Sequence, residues 1–143
     1  MADIYHQFVI NALPEKVFDA ISLSKGLDNW WTRSSSENPE QGGIYTLYFG
    51  PQYNWKATVT KYLKDSQFEL ELTEADDEWK GTRVGFILRN IKGITEVDFY
   101  HTGWPAVNEH YRISSYCWAM YLRILKRFVE FGDLIPYDKR LDV

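Results

Sequence analysis

The chain has 143 residues, which predicts one domain, residues 1–143, large enough to bury a core without disulfides or metal. Its 45% hydrophobic and 25% charged residues exclude a disordered chain. A net charge of −4 without a cluster of Lys or Arg argues against nucleic-acid binding, and the absence of a long apolar run argues against membrane insertion. We therefore expect a cytoplasmic protein, in which the lone Cys117 is a packed side chain.

The first third of the chain predicts one strand and two short helices. Residues 4–11 alternate between polar and apolar side chains, as strands do, and Pro14 then opens a short helix because proline is pre-organised for the first helical turn. Ser24 is the expected cap of a second short helix that carries Trp31 at its end. Residues 34–43 contain three serines, a proline and a glycine pair, which predict a loop.

Residues 43–103 predict a meander of antiparallel strands, each with one apolar and one polar face. The side chains expected to face inward are Tyr45, Leu47 and Phe49, then Trp55, Ala57 and Val59, then Phe68, Leu70 and Leu72, then Thr82, Val84, Phe86 and Leu88, and finally Thr95, Val97, Phe99 and His101.

The last hairpin of this meander brings a polar pair onto the buried face. With its tip at residues 91–92, Phe86 lies opposite Val97 and Thr82 lies opposite His101. Thr82 and His101 are therefore expected to be cross-strand neighbours, at the end of an apolar stripe.

Helical periodicity over residues 107–131 predicts a long helix that ends before Gly132. Its apolar stripe comprises Tyr111, Ser115, Trp118, Leu122, Leu125 and Val129, with Tyr121 and Phe128 beside it. The fold predicted from these elements is α+β. It consists of a curved antiparallel sheet of about six strands, two short helices, and the long C-terminal helix across the concave face.

Motifs that follow one another along nearly the whole chain resemble those of a known family. They are Pro14, Glu15, Lys16, Val17 and Phe18; Trp30, Trp31 and Thr32; Gly42, Gly43 and Tyr45; Trp79, Gly81 and Thr82; residues 95–104; and Trp118, Tyr121, Leu122 and Leu125. The ordered set resembles the START-like superfamily (SRPBCC, Bet v 1-like), and within it the family related to the C-terminal domain of the heat-shock-protein-90 ATPase activator. The resemblance implies a helix-grip fold with an apolar cavity between helix and sheet, and no particular reaction.

The aromatic content is high, with six Trp, ten Tyr and eight Phe, and such rings line pockets as readily as they fill cores. His101 and Thr82 are candidates for orienting a polar group of a ligand; the alternative is a structural histidine satisfied by its neighbours. The expected ligand-binding residues are His101, Thr82, Trp31, Trp55, Phe68, Phe86, Phe99, Tyr111, Trp118 and Tyr121.

These residues predict a protein that binds a small, largely hydrophobic molecule between the C-terminal helix and the sheet. Two alternatives stay open. One is a polyketide cyclase or dehydratase-type enzyme that uses His101 as acid or base. The other is an interaction module that contacts a chaperone through an exposed Trp31 or the 34–43 loop. The three histidines have no zinc-like spacing, so we expect no metal, and no motif predicts a cofactor or a set of catalytic residues.

Overall fold

The computed structural model describes residues 2–143. A first strand, β1 (Ala2–Ile10), precedes two short helices, α1 (Pro14–Ser22) and α2 (Ser24–Leu27). Six further strands follow: β2 (Ser34–Ser36), β3 (Ile44–Tyr48), β4 (Asn54–Leu63), β5 (Gln67–Glu74), β6 (Arg83–Ile91) and β7 (Ile94–Trp104). The chain ends with the long helix α3 (Glu109–Phe131) and a 3-10 helix (Tyr137–Asp142).

All seven strands form one curved antiparallel sheet in the order β1-β7-β6-β5-β4-β3-β2. The α+β helix-grip prediction is confirmed, but the sheet has seven strands rather than about six. The additional strand lies in the predicted 34–43 loop, where Ser34 pairs with Tyr48 and Ser36 pairs with Thr46. Serine has little strand propensity, so this short edge strand depends on its pairing with β3 and has no signature of its own in the sequence.

The two short helices pack unusually closely. A Cβ on Gly26 would lie 2.5 Å from the Cα and the carbonyl oxygen of Ala20, so only glycine permits this approach of α2 to α1. The indole N–H of Trp30 donates a hydrogen bond to the same Ala20 carbonyl over 2.9 Å. These contacts fix the chain that leaves α2 and hence the position of Trp31.

The last hairpin turns through Lys92 and Gly93, both at positive φ (54° and 89°), which is the geometry of a two-residue hairpin turn. Val84 therefore pairs with His101, and the predicted register is wrong by two residues. A two-residue shift keeps every side chain on its face, so the predicted inward residues are buried or partly buried. Thr82 lies just before β6 and still reaches His101.

Helix α3 begins two residues later than predicted, where the Asn108 side chain accepts a hydrogen bond from the Tyr111 backbone N–H. It ends at Gly132, which has the left-handed conformation (φ 71°) that glycine adopts freely. The buried side chains include the predicted stripe from Trp118 to Val129 and also Ile124, which was not predicted, and Ser114 rather than Ser115 is turned inward. No helix within residues 2–143 is both long and apolar enough to cross a membrane.

Candidate functional site

A cleft of about 280 Å³ opens beside the first half of α3, next to the β3–β4 hairpin and the turn at residues 76–79. Most of its lining side chains are aromatic. They are Trp31, Phe49, Tyr53, Trp55, Asp76, Trp79, His110, Ile113, Ser114, Cys117, Trp118 and Tyr121.

Five of these rings contact one another in a closed circuit. Phe49 lies between Trp31 and Trp55, with centroid distances of 5.4 and 5.1 Å. Trp79 lies between Trp55 and Trp118, at 5.1 and 5.9 Å, and Trp118 returns to Trp31 at 5.2 Å. We call this set the aromatic circuit. Its members come from five separate segments of the chain, so only the folded protein assembles it.

His101 lies behind the aromatic circuit and is completely buried. The indole N–H of Trp118 donates to its Nδ1 over 3.0 Å, so Nε2 carries the ring proton and donates to Thr82 Oγ1 over 2.8 Å. The Thr82 hydroxyl in turn donates to the backbone carbonyl of Trp79. This chain of hydrogen bonds links two members of the circuit, Trp79 and Trp118, through one imidazole.

The electrostatic environment keeps that imidazole neutral. Burial, with a smaller contribution from the charge of His110, lowers the pKa of His101 to about 3. Both ring nitrogens are engaged by protein groups, and the Trp79 ring packs against the imidazole with centroids 4.5 Å apart. In this arrangement His101 orients the two indoles and does not itself line the cleft.

Four of the ten residues predicted to bind ligand line the cleft: Trp31, Trp55, Trp118 and Tyr121. The other six lie outside its lining. Phe68, Phe86 and Phe99 are core residues, Thr82 and His101 stand behind the indoles, and the Tyr111 hydroxyl donates to the Asp3 backbone carbonyl. Trp31 is only 4% exposed, so the expected exposed contact at this residue is wrong.

Sequence reasoning did not place several lining residues at the ligand site. Those on α3 had a detectable signal, because His110, Ser114 and Cys117 precede the predicted Tyr121 at spacings of four, three and four residues and so share one face of the helix with it. Trp79 had no such signal, since it follows three acidic residues in what resembles a solvated turn.

Polar groups cluster at one side of the cleft. Asp76 lines it directly, and His110 Nδ1 lies 2.9 Å from Glu78 Oε1. Asn108 donates to the other oxygen of Glu78. The hydrogen bond from Asn108 makes the larger contribution, and the one with His110 the smaller, to lowering the pKa of the Glu78 carboxyl. The buried indole N–H of Trp79 has no hydrogen-bond partner within residues 2–143. No group of three or more potential metal ligands from His, Cys, Asp and Glu occurs in this part of the chain.

Comparison with known proteins gives one family and many similar structures. The family described as "Activator of Hsp90 ATPase homolog 1-like protein" matches residues 11–130. No curated protein matches the sequence. The Aha1 dimer from Colwellia psychrerythraea is 28% identical, with a TM-score of 0.84 over 93% of this chain and 99% of that chain.

Two more distant structures share the fold. PFC0360w, described as an HSP90 activator from Plasmodium falciparum, is 18% identical with a TM-score of 0.74 over 92% of this chain and 97% of that chain. DynU16, from the dynemicin biosynthetic locus, is 14% identical with a TM-score of 0.76 over 94% of this chain and 50% of that chain.

Proposed function

This chain belongs to the family of Activator of Hsp90 ATPase homolog 1-like proteins, and within that family we propose that it binds a small, largely hydrophobic molecule in the aromatic cleft. The observation that carries the proposal is the aromatic circuit at the wall of a cleft of about 280 Å³. Small-molecule sites are concave, mostly apolar, and contain a few polar groups that fix orientation.

The size of the cleft limits the ligand. Its volume is at the lower end of the range of roughly 300–1,000 Å³ that is common for ligand pockets, which favours a molecule with one ring or a short branched body. Such a molecule replaces water against several ring faces at once, and this release of water drives apolar association. Asp76 and Ser114 are polar lining residues available to orient it.

In this proposal His101 and Thr82 act on the ligand indirectly. They hold the indole of Trp118 and the backbone of Trp79, so that both rings keep their place at the cleft. They are positioning residues, and binding requires no acid–base step at His101.

Protection of Cys117 from alkylation tests the proposal. Cys117 is the only cysteine and lines the cleft, and burial raises the pKa of its thiol. Because the thiolate is the reactive form, we expect slow labelling by a maleimide at pH 7 and faster labelling as the pH rises. Saturating 4-tert-butylphenol, a neutral apolar probe, should slow this labelling about fivefold or more, as measured by intact-protein mass spectrometry.

The control is a Cys117→Ser, Glu40→Cys variant, in which the single thiol lies at an exposed loop position that is not among the lining residues. Its labelling rate should not change with the probe. Equal labelling of Cys117 with and without the probe at millimolar concentration, while near-UV circular dichroism shows a folded protein, contradicts binding in the cleft.

Contact with an Hsp90-type chaperone is a second candidate function. It is favoured by the family to which the chain belongs and by the likeness to the Plasmodium falciparum HSP90 activator. We expect the protein to raise the ATPase rate of a purified Hsp90-type chaperone, and substitutions in the 34–43 loop to reduce this effect while Trp55→Leu leaves it unchanged. An unchanged ATPase rate together with no co-sedimentation rejects this candidate. The cytoplasmic location, where such a chaperone would be met, stays a prediction.

A further inference from the structure

The rings of the aromatic circuit can attract cations as well as pack against apolar groups. Four of its five members are tryptophans, the side chain whose π face attracts a cation most strongly. A cation within about 6 Å of several ring centroids interacts with the negative face of each ring, and the attraction increases when water is excluded. A neutral ligand gains only the apolar part of these contacts.

The charged side chains at the cleft favour a cation over an anion. Asp76 is the only carboxylate among the lining residues, and Glu78 lies just outside, bonded to His110. None of the lining residues within the described 2–143 is a Lys or Arg. An anionic ligand would meet Asp76 with no basic lining residue except His110, which is already bonded to Glu78, whereas a cation would meet a carboxylate and several aromatic rings.

The nearest buried cation of the protein is engaged elsewhere. The Arg140 guanidinium donates to the backbone carbonyls of Asp28, Thr32 and Ile135, and it stacks on Tyr137 with 5.3 Å between the guanidinium carbon and the ring centroid. It is not among the lining residues, so it does not occupy the cleft.

We propose that the ligand of the cleft is an organic cation, an ammonium group on a small apolar or aromatic body, held by the aromatic circuit and Asp76. This inference rests on the proposed function, since it specifies the chemistry of the molecule bound there. The ammonium group lies against the indole faces, and the apolar body fills the remainder of the cleft.

Three para-substituted phenols that differ in charge test the inference. They are (4-hydroxyphenyl)trimethylammonium, its uncharged isostere 4-tert-butylphenol, and the anion 4-hydroxybenzoate. We expect the ammonium probe to bind at least about tenfold more tightly than 4-tert-butylphenol, and the benzoate to bind most weakly, by calorimetry and tryptophan fluorescence at pH 7.

Two variants separate the charge from the rings. Asp76→Asn should weaken binding of the ammonium probe about threefold and change the affinity for 4-tert-butylphenol much less, because asparagine keeps a polar group there and loses only the charge; Asp77→Asn, the same charge change one residue along, is the matched control. Trp55→Leu keeps apolar contact but removes a π face, so it should reduce the preference for the cation about threefold or more. Trp55 is half-buried, so near-UV circular dichroism of this variant is compared with that of the unmodified protein before affinities are measured.

Each outcome has one meaning. Equal affinity for the ammonium probe and its neutral isostere, or tightest binding of the benzoate, overturns the cation inference but leaves the hydrophobic site standing. If none of the three probes binds at millimolar concentration to a folded protein, the proposed function fails as well. A tenfold preference for the ammonium probe that survives Trp55→Leu and Asp76→Asn places the cation outside the cleft and also overturns the inference.

Discussion

Replacement of His101 by alanine is expected to lower the free energy of unfolding by about 3–5 kcal/mol, as measured by urea denaturation at pH 7. The substitution removes a fully buried ring and leaves a cavity next to the indoles of Trp79 and Trp118. It also leaves the Trp118 N–H without its acceptor and Thr82 without the Nε2–H donor. Binding of the cleft probes should weaken at the same time, because both indoles lose the group that orients them.

His101 should also make the protein sensitive to acid. Its pKa is lowered from 6.5 to about 3 in the folded protein, so between these pH values the unfolded chain binds a proton that the folded chain does not. Stability therefore falls as the pH drops from about 6.5 toward 3, by up to about 1.4 kcal/mol per pH unit from this residue, and His101 adds no pH dependence above that range.

His101→Gln isolates this effect because glutamine is neutral and offers an acceptor to the Trp118 N–H. We expect the variant to be less stable than the unmodified protein at pH 7, and this difference to shrink steadily between pH 6.5 and 4. Measuring the difference cancels the titration of carboxylates common to both proteins, and His6→Gln controls for the loss of a histidine elsewhere. A difference that stays constant from pH 7 to pH 4 would show that His101 is not held neutral.

The sheet and the long helix could be predicted because their signal is local. Alternation along β4 to β7 and the periodicity of α3 report which side faces the core, and the structure confirms those faces. The register of the last hairpin was missed because it depends on a turn with Lys92 in the left-handed region, which lysine seldom adopts. The strand Ser34–Ser36 was missed because it is stabilised only by pairing with β3.

The site was harder to predict because a cleft forms where side chains leave a gap between them. The position of that gap depends on distances between segments that are far apart in the sequence. The sequence indicated that His101 is buried, but not that the ring of Trp118 stands between it and the open space. The contribution of Trp79 depends on how the β5–β6 connection folds back over the sheet. Trp55, Trp118 and Tyr121 line the cleft as large rings on correctly assigned faces, whereas Trp31 lines it from the turn beyond α2, which ends at Leu27.

The C-terminal tail follows α3 and is fixed to the protein by one buried arginine. Arg140 is 3% exposed, and its guanidinium donates to the carbonyls of Asp28 (2.6 Å), Thr32 (3.1 Å) and Ile135 (3.2 Å). Burial lowers the pKa of this guanidinium. These hydrogen bonds connect the segment that follows α2 to the C-terminal tail.

Arg140→Ala is expected to lower the free energy of unfolding by about 2–4 kcal/mol, because it leaves buried carbonyls of the α2 segment without donors. It should also weaken binding of the cleft probes. The Asp28 and Thr32 carbonyls flank Trp31, and the stacked Tyr137 donates to the backbone carbonyl of Phe49 over 3.2 Å, so the tail supports two neighbouring members of the aromatic circuit.

Lys139→Ala is the matched control, since Lys139 precedes Arg140 but is exposed, and its effect should remain within about 0.5 kcal/mol. Arg140→Lys should recover little of the stability, because one ammonium group cannot reach three carbonyls in the planar geometry of a guanidinium. If Arg140→Ala unfolds at the same urea concentration as Lys139→Ala and binds the probes equally well, the tail does not support the cleft. If Arg140→Ala loses probe affinity under conditions where both variants are fully folded, the loss is not caused by unfolding. It then shows that the tail holds Trp31 and Phe49 in the positions that binding requires.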